Sequence, residues 1–444
     1  MKTDRHMQPA VRIPDRLDIP MPEIRRLAGG TGLYVLNAPQ QEVTRLSLVY
    51  RAGTRFQSRP FTAATVMNLL AEGTEKYSAA EFSERFDFYG AHFETGIDRD
   101  YAVVTLCTLS RFLPQTLELL EEMTARPLFP VPELDIYRER RKQQLSVDRQ
   151  KVSFRARELF TQALFGQEHP YGSFYDRDEF DALTQDVLQA FFRKHYTAGN
   201  CFAVVSGKAG SEEVQRIETF LASLPAGAGV SFADLPEPVT TPLVQERREE
   251  ALQTAIRIGK RLFPRNHPDF IGMQVLSMVL GGYFGSRLIS NLREDKGYTY
   301  GVFSAMVNLE SAGYLAIATE VGAPFTRDAV REIFRELARL REEPVGAEEL
   351  KIVKNMITGD LMRILDGPFG IADVTIESVQ NGTDNGYVAR YLEEVKAITP
   401  ERLQELARRH LNEAGFVTVT VGAVDECAPD SDPVLPDVPK TASV

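Results

Sequence analysis

Apolar residues recur along this chain with two periods, and the order in which the periods alternate predicts its architecture. A period of two begins at Leu33: LYVLNA is followed by RLSLVYRAG, where Leu46, Leu48 and Tyr50 alternate with polar positions, so two strands are expected. Ser58 and Pro60 then open a helix over residues 62–70, and SAAEFSERFDFYGA sets Phe82, Phe86 and Tyr89 on one helical face. Two more strands, HFETGIDRD and YAVVTLCTL, lead into TLELLEEMTARPLF and PELDIYRERRKQQLSVDRQ. These read as long helices broken by Pro127, Pro130 and Pro132.

The second half repeats the first. LQTAIRIGKRLF is the counterpart of RLSLVYRAGTRF, FIGMQVLSMVLGGYF of AATVMNLLAEGTEKY, and SRLISNLREDKGY of EFSERFDFYGAHF. SAGYLAIATEV parallels the strand at 101–109, and AVREIFRELARLREEPVGAEELKIVKNMITGDL parallels the paired helices around Pro130. A repeat this long implies two homologous α+β domains, each an antiparallel-rich sheet with helices packed on one face. The expected boundaries are a loose N-terminal arm at 1–25, a first domain at 26–223, a Pro- and Gly-rich linker at 224–243, a second domain at 244–425 and a disordered tail at 426–444.

Composition narrows the function classes. At 444 residues two or more domains are the default, and a net charge of −11 argues against a nucleic-acid footprint. Cys107, Cys201 and Cys427 lie far apart and form no CxxC pair, so they read as reduced, buried or incidental thiols. The first twenty residues contain no apolar core of signal-peptide length, and no stretch approaches the roughly 18 apolar residues that span a membrane. A soluble, cytoplasmic protein is expected, acting neither on nucleic acid nor in a membrane. The runs RERRK (138–142) and RELARLREE (335–343) read as solvated helix faces.

One stretch carries chemistry. In GGYFGSRLISNLREDKGYTYG (281–301) a short amphipathic helix leads to a turn at Asp295-Lys296-Gly297 and then to a strand-like run. Arg293 near the helix end and Tyr300 just past the turn are thereby positioned to reach one spot. Other chemistries lack their signatures. Gly281-Gly282 and the GPFG at 367–370 do not have phosphate-loop spacing, and there is no GxSxG nucleophile elbow. No two of His6, His92, His169, His195, His267 and His410 are three to five residues apart; His195 and His410 read as lying on polar helix faces.

AEGTEKYS (71–78), FGQEHPYG (165–172), NCFAVVSG (200–207) and GGYFGSRLISNLREDKGYTYGV (281–302) together resemble the short-subunit branch of the M16 zinc metallopeptidases, the pitrilysin, insulinase and mitochondrial processing peptidase family. The resemblance implies an HxxEH helix just before AEGT, with two His holding zinc and a Glu activating its water. Counting back from Gly73-Thr74, the His positions are Ala64 and Asn68 and the Glu position is Met67; a further Glu ligand matches Gln144 to within a residue or two. By the same resemblance Arg293 and Tyr300 bind substrate carbonyls and the oxyanion of the tetrahedral intermediate. The strand containing Gly313, Tyr314, Leu315 and Ala316 is a candidate edge for a guest peptide, or a packing edge. The implied protein is a non-catalytic subunit that binds no cofactor, closes a peptidase chamber, and supplies Arg293 and Tyr300 to a partner carrying HxxEH and zinc. The alternative is a catalytically inactive peptide-binding or scaffold protein, as a homodimer or within a larger complex.

Overall fold

The computed structural model describes residues 17–232 and 235–423. The expected tail at 426–444, the first sixteen residues of the expected arm, and Cys427 and His6 lie outside the described residues. The fold is α+β and contains two sheets. The first holds β1 (Glu23–Arg26), β2 (Gly32–Asn37), β3 (Val43–Tyr50), β4 (His92–Ile97), β5 (Ala102–Leu109) and β6 (Cys201–Gly207), in the order β1-β2-β6-β3-β5-β4. The second holds β7 (Leu243–Arg247), β8 (Gln253–Leu262), β9 (Thr299–Asn308), β10 (Gly313–Gly322) and β11 (Phe416–Gly422), in the order β7-β11-β8-β10-β9. The internal repeat therefore survives as topology. β3 in the first sheet and β8 in the second pair antiparallel on both sides, and each sheet has one parallel pair, β2 with β6 and β7 with β11.

Each sheet buries one face under helices of its own half. In the first, Leu46, Leu48, Tyr50, Val104 and Leu106 meet Val66, Met67, Leu70, Leu117 and Leu120 in one core. In the second, Ile256, Ile258, Leu315 and Ile317 meet Met273, Leu276, Leu288, Ile333 and Leu337. The opposite faces are covered by exchange. The helix Val152–Phe165, from the first half, lays Ala156, Leu159, Phe160 and Ala163 on Ala255, Val417, Val419 and Val421 of the second sheet. The helix Pro368–Gln380, from the second half, sets Ile371, Ala372 and Ile376 against Leu36, Val204, Tyr34 and Phe202 of the first. An ion pair flanks each exchange, Arg155–Glu246 at 2.7 Å and Arg45–Asp373 at 2.7 Å.

Gly259 shows how close the first exchange is, since a Cβ there would lie 2.6 Å from the Phe160 ring. Phe160→Ala opens a cavity at this junction and is expected to destabilise the chain by about 3–5 kcal/mol. The check is the urea midpoint at unchanged dependence on denaturant; a shift below about 1 kcal/mol would mean that the exchanged helix does not hold the halves together.

The period-two and period-3.6 patterns place these elements, but three local readings are corrected. Ser58 and Pro60 do not cap the first long helix of the motif region. It spans Thr62–Leu69 and starts after Phe61, which takes a left-handed conformation (φ 61°) and stacks on Phe180 at 3.9 Å. His195 is not on a polar face: it is buried between Phe56 and Phe191, and burial pushes its pKa down to about 4. The run at 335–343 is not wholly solvated, because Glu336, like Glu332 one turn earlier, is buried.

Candidate active site

The helix Thr62–Leu69 is where the resemblance expects a metal. It packs against the helix Val131–Asp148, with Tyr137 lying against Thr65. The AEGT turn sets this packing. Gly73 has φ 146°, and a Cβ there would lie 2.7 Å from the Pro130 ring, so only glycine lets the turn dock. Leu128 N–H then donates to the Gly73 carbonyl at 2.9 Å and Glu75 N–H to that of Arg126 at 3.2 Å.

The residues present do not fit zinc. Ala64 has no donor atom and Met67 is buried in the first core. Asn68 is exposed and returns its amide to the Ala64 carbonyl at 2.7 Å. Gln144 is exposed and donates to Asp148 Oδ2 at 2.9 Å. Among the described residues no three His, Cys, Asp or Glu side chains converge as a metal site. His169 accepts from the Tyr171 N–H within its loop, and His410 pairs with Asp269 at 2.7 Å.

The second half holds its site differently. The stretch after the helix Phe270–Ser277 winds as wide π-type turns, Met278–Gly282 and Ile289–Asp295, rather than as the expected regular amphipathic helix. A buried peg fixes the second of these turns. Asn291 Nδ2 donates to Glu332 Oε2 at 3.1 Å and Glu336 Oε1 at 2.8 Å, and its Oδ1 accepts from Lys296 Nζ at 2.8 Å. Burial alone would raise the Glu332 pKa, but the Asn291 amide and the Lys296 and Arg335 cations outweigh it and hold the carboxylate ionised. Arg287 is engaged structurally, with two 2.9 Å bonds to Glu349.

Arg293 is not tied up in this way. Among the described residues no carboxylate pairs with it, Glu294 and Asp295 included. Its guanidinium lies 4.7 Å from the Phe284 ring centre and 5.1 Å from that of Tyr300, so aromatic faces orient it while its N–H edges stay open. Tyr300 does not pack into the sheet. Thr299 pairs with Val321 and Val302 with Thr319, so Tyr300 and Gly301 together oppose Glu320 in a β-bulge. The Thr299 hydroxyl donates to the Glu320 carbonyl at 2.7 Å, and the Thr319 hydroxyl to that of Gly301 at 2.9 Å. This bulge leaves the Tyr300 side chain 89% exposed beside Arg293. One ionic and one neutral donor thus face solvent together, an arrangement suited to a carbonyl or an oxyanion.

The candidate edge strand is corrected. Gly313, Tyr314, Leu315 and Ala316 lie in β10, which pairs with β8 on one side and β9 on the other. Its backbone is engaged on both sides, and the strand beyond it, β9, is one of the two edges of that sheet among the described residues. Both strands have the same alternating sequence, so the pattern identified a strand without its place in the sheet. Sequence reasoning also passed over Phe284 and Phe303, 63% and 56% exposed. The available signal was two phenylalanines flanking the Arg/Tyr pair.

The description "Insulinase (Peptidase family M16)" matches residues 34–172, and "Peptidase M16 inactive domain" matches residues 182–357. An uncharacterised zinc protease of Bacillus subtilis, YmxG, is 22% identical over 393 residues, covering 86% of this chain and 94% of that one. The crystal structure of a peptidase M16 inactive domain from Pseudomonas fluorescens superposes with a TM-score of 0.83 at 22% identity, over 91% of this chain and 98% of that one. A chain of complex III2 from Candida albicans superposes with a TM-score of 0.73 at 15% identity, over 90% of this chain and 96% of that one. No helix among the described residues is long and apolar enough to cross a membrane.

Proposed function

The chain belongs to the M16 family of insulinase-like peptidases, and from that premise we propose that it is the non-catalytic subunit of a heterodimeric zinc peptidase. The observation that carries this reading is an asymmetry. The positions for metal and base are filled by Ala64, Met67, Asn68 and Gln144, which are buried, apolar or bonded within their own helices. Arg293 and Tyr300 keep their donors open and converge. A scaffold has no use for an unpaired guanidinium and an exposed phenol, whereas a peptide bond under attack does.

In this reading the partner supplies HxxEH and a zinc ion that activates water. This chain closes the chamber around an unfolded peptide small enough to be enclosed. Arg293 donates from two N–H groups to substrate carbonyls, and the Tyr300 hydroxyl donates to the oxygen that becomes negative as the carbonyl carbon turns tetrahedral. The B. subtilis relative described as a zinc protease supports placing the pair in zinc peptidase chemistry.

The test is to purify the chain alone and together with an HxxEH-containing chain of similar length from the same source. Cleavage of unfolded peptides is expected only from the pair, and it should be lost with chelator and restored by zinc. Zinc-dependent cleavage by the lone chain would refute the proposal. The likeness to a complex III2 chain favours a second reading, an inactive scaffold subunit or homodimer. Under that reading the native partner is not a peptidase and the assembled complex cleaves nothing.

A further inference from the structure

Carboxylates outnumber cations in this chain, 62 Asp and Glu against 51 Lys and Arg, so an arginine has no shortage of partners. On the exchanged helix Val152–Phe165, Arg155 pairs with Glu158 and Glu246, and Arg149 just before the helix pairs with Glu158 and Asp176. Three arginines beside them do not follow this pattern. Among the described residues no carboxylate lies within ion-pair distance of Arg99, Arg157 or Arg257. Arg99 donates to backbone carbonyls, that of Pro170 at 3.2 Å and that of Ser173 at 3.5 Å. Arg257 donates to the carbonyls of Ile256, Thr319 and Ser153, at 2.9, 3.3 and 3.5 Å. Arg157 is exposed, and its guanidinium lies 4.9 Å from the Phe154 ring centre.

The three are neighbours because two elements cross. Ser153 and Arg157 share a helix face one turn apart, so the contact of Arg257 with Ser153 sets it beside Arg157. Phe160, next on that face, covers Gly259, two residues along β8 from Arg257. Arg99 comes from the first half. It and Arg157 both act on the hydroxyl of Tyr314, whose ring packs against Phe160 at 6.1 Å. Burial lowers the pKa of Arg99 and Arg257, and Arg157 adds to the effect on both. The carboxylates that offset it are Glu320 for Arg257 and Asp100 for Arg99, and Asp100 is already held by Arg55 and Tyr171.

We propose that Arg99, Arg157 and Arg257 form a binding site for the carboxylates of an acidic peptide segment, with Arg157 as its solvent-facing member. The proposal rests on the peptidase-subunit reading and gives the guest a charge. A guanidinium offers a carboxylate two parallel N–H groups, and a guest carboxylate relieves the mutual repulsion of three gathered cations. Three cations at one junction suit a guest with two or three carboxylates. They do not make the long phosphate track of a nucleic acid, which the net charge of −11 also disfavours.

The test uses the whole chain and isothermal titration calorimetry with short acetylated, amidated peptides in which Glu alternates with Ser. The control peptide has Gln at each Glu position. At low salt the Glu peptide should bind about tenfold or more tighter than the Gln peptide, and the preference should shrink as salt is raised. Arg157→Gln should remove most of the preference without moving the melting temperature, since that side chain is exposed. Arg216→Gln removes the same charge from an exposed helix elsewhere and should leave binding unchanged. Glu320→Gln should tighten binding of the Glu peptide, because it frees Arg257 from the carboxylate that offsets it. Equal binding of the two peptides, no binding of either, or an Arg157→Gln effect no larger than that of Arg216→Gln would overturn the proposal. Inorganic phosphate binding as tightly as the Glu peptide would reassign the site to a small anion and overturn it too. A short oligouridylate binding more tightly than the peptide would do the same. The peptidase reading fails separately. If the Glu preference holds while the chain with its HxxEH partner cleaves no peptide, the site stands and the subunit role falls.

Discussion

In the proposed peptidase complex, Arg293→Ala is expected to lower kcat/KM by about a hundredfold or more, and Tyr300→Phe by about the same, because on that proposal each removes a donor aimed at charge that develops in the transition state. The two should act differently on binding. In the proposed role Arg293 also holds the ground-state carbonyl, so its loss should raise KM as well as lower kcat. Tyr300→Phe keeps the ring that flanks Arg293 and removes only the hydroxyl, so its effect should fall on kcat. Arg293→Lys should behave nearly as badly as Arg293→Ala, because an ammonium cannot lie flat between Phe284 and Tyr300 while offering two parallel N–H groups. None of these three variants should unfold the chain, since Tyr300 is exposed and the turn is held by Asn291 and Lys296 rather than by Arg293. Steady-state kinetics of the complex at matched zinc decides the matter. Full activity in either variant removes that side chain from the mechanism.

Much of this was legible because it depends on residue order. The repeat appears as two sheets with matching strand order, and the string from Gly281 to Val302 identified which Arg and Tyr meet. What stayed hidden depends on how elements face one another. The helix Val152–Phe165 is amphipathic whichever sheet it covers, so its sequence does not announce that Phe160 packs on the other half's sheet. The charge run at 335–343 reads as solvated by composition, but the helix rotation that buries Glu336 against Asn291 is set by a residue more than forty positions away. The bulge that aims Tyr300 outward comes from hydrogen bonds of Thr299 and Thr319, and neither threonine is distinctive in the sequence.

Asp100→Ala is expected to cost about 3–5 kcal/mol of stability, because it takes a bonded carboxylate away from a buried guanidinium at the junction of the two halves. Arg55 and Asp100 pair at 3.1 Å with side chains only 2% and 5% exposed. The Tyr171 hydroxyl donates to Asp100 Oδ1 at 2.6 Å, and burial, together with that bonded carboxylate, pushes its pKa well up, so it remains a neutral donor. The other half completes the cluster: Glu310 N–H donates to Asp100 Oδ2 at 3.1 Å, and Arg55 donates to Ser311 Oγ at 3.1 Å. Glu310 and Ser311 form the tip of the hairpin between β9 and β10, whose far end carries Tyr300. Loss of Asp100 should therefore reach the site as well as the fold, through the hairpin it anchors. Arg55→Met added to Asp100→Ala should recover part of the lost stability by removing a buried charge that has lost this carboxylate, so the two changes should be strongly non-additive in urea unfolding. Strict additivity, or a loss below about 1 kcal/mol for Asp100→Ala alone, would show that the apolar helix exchange holds the halves together and the ion pair does not.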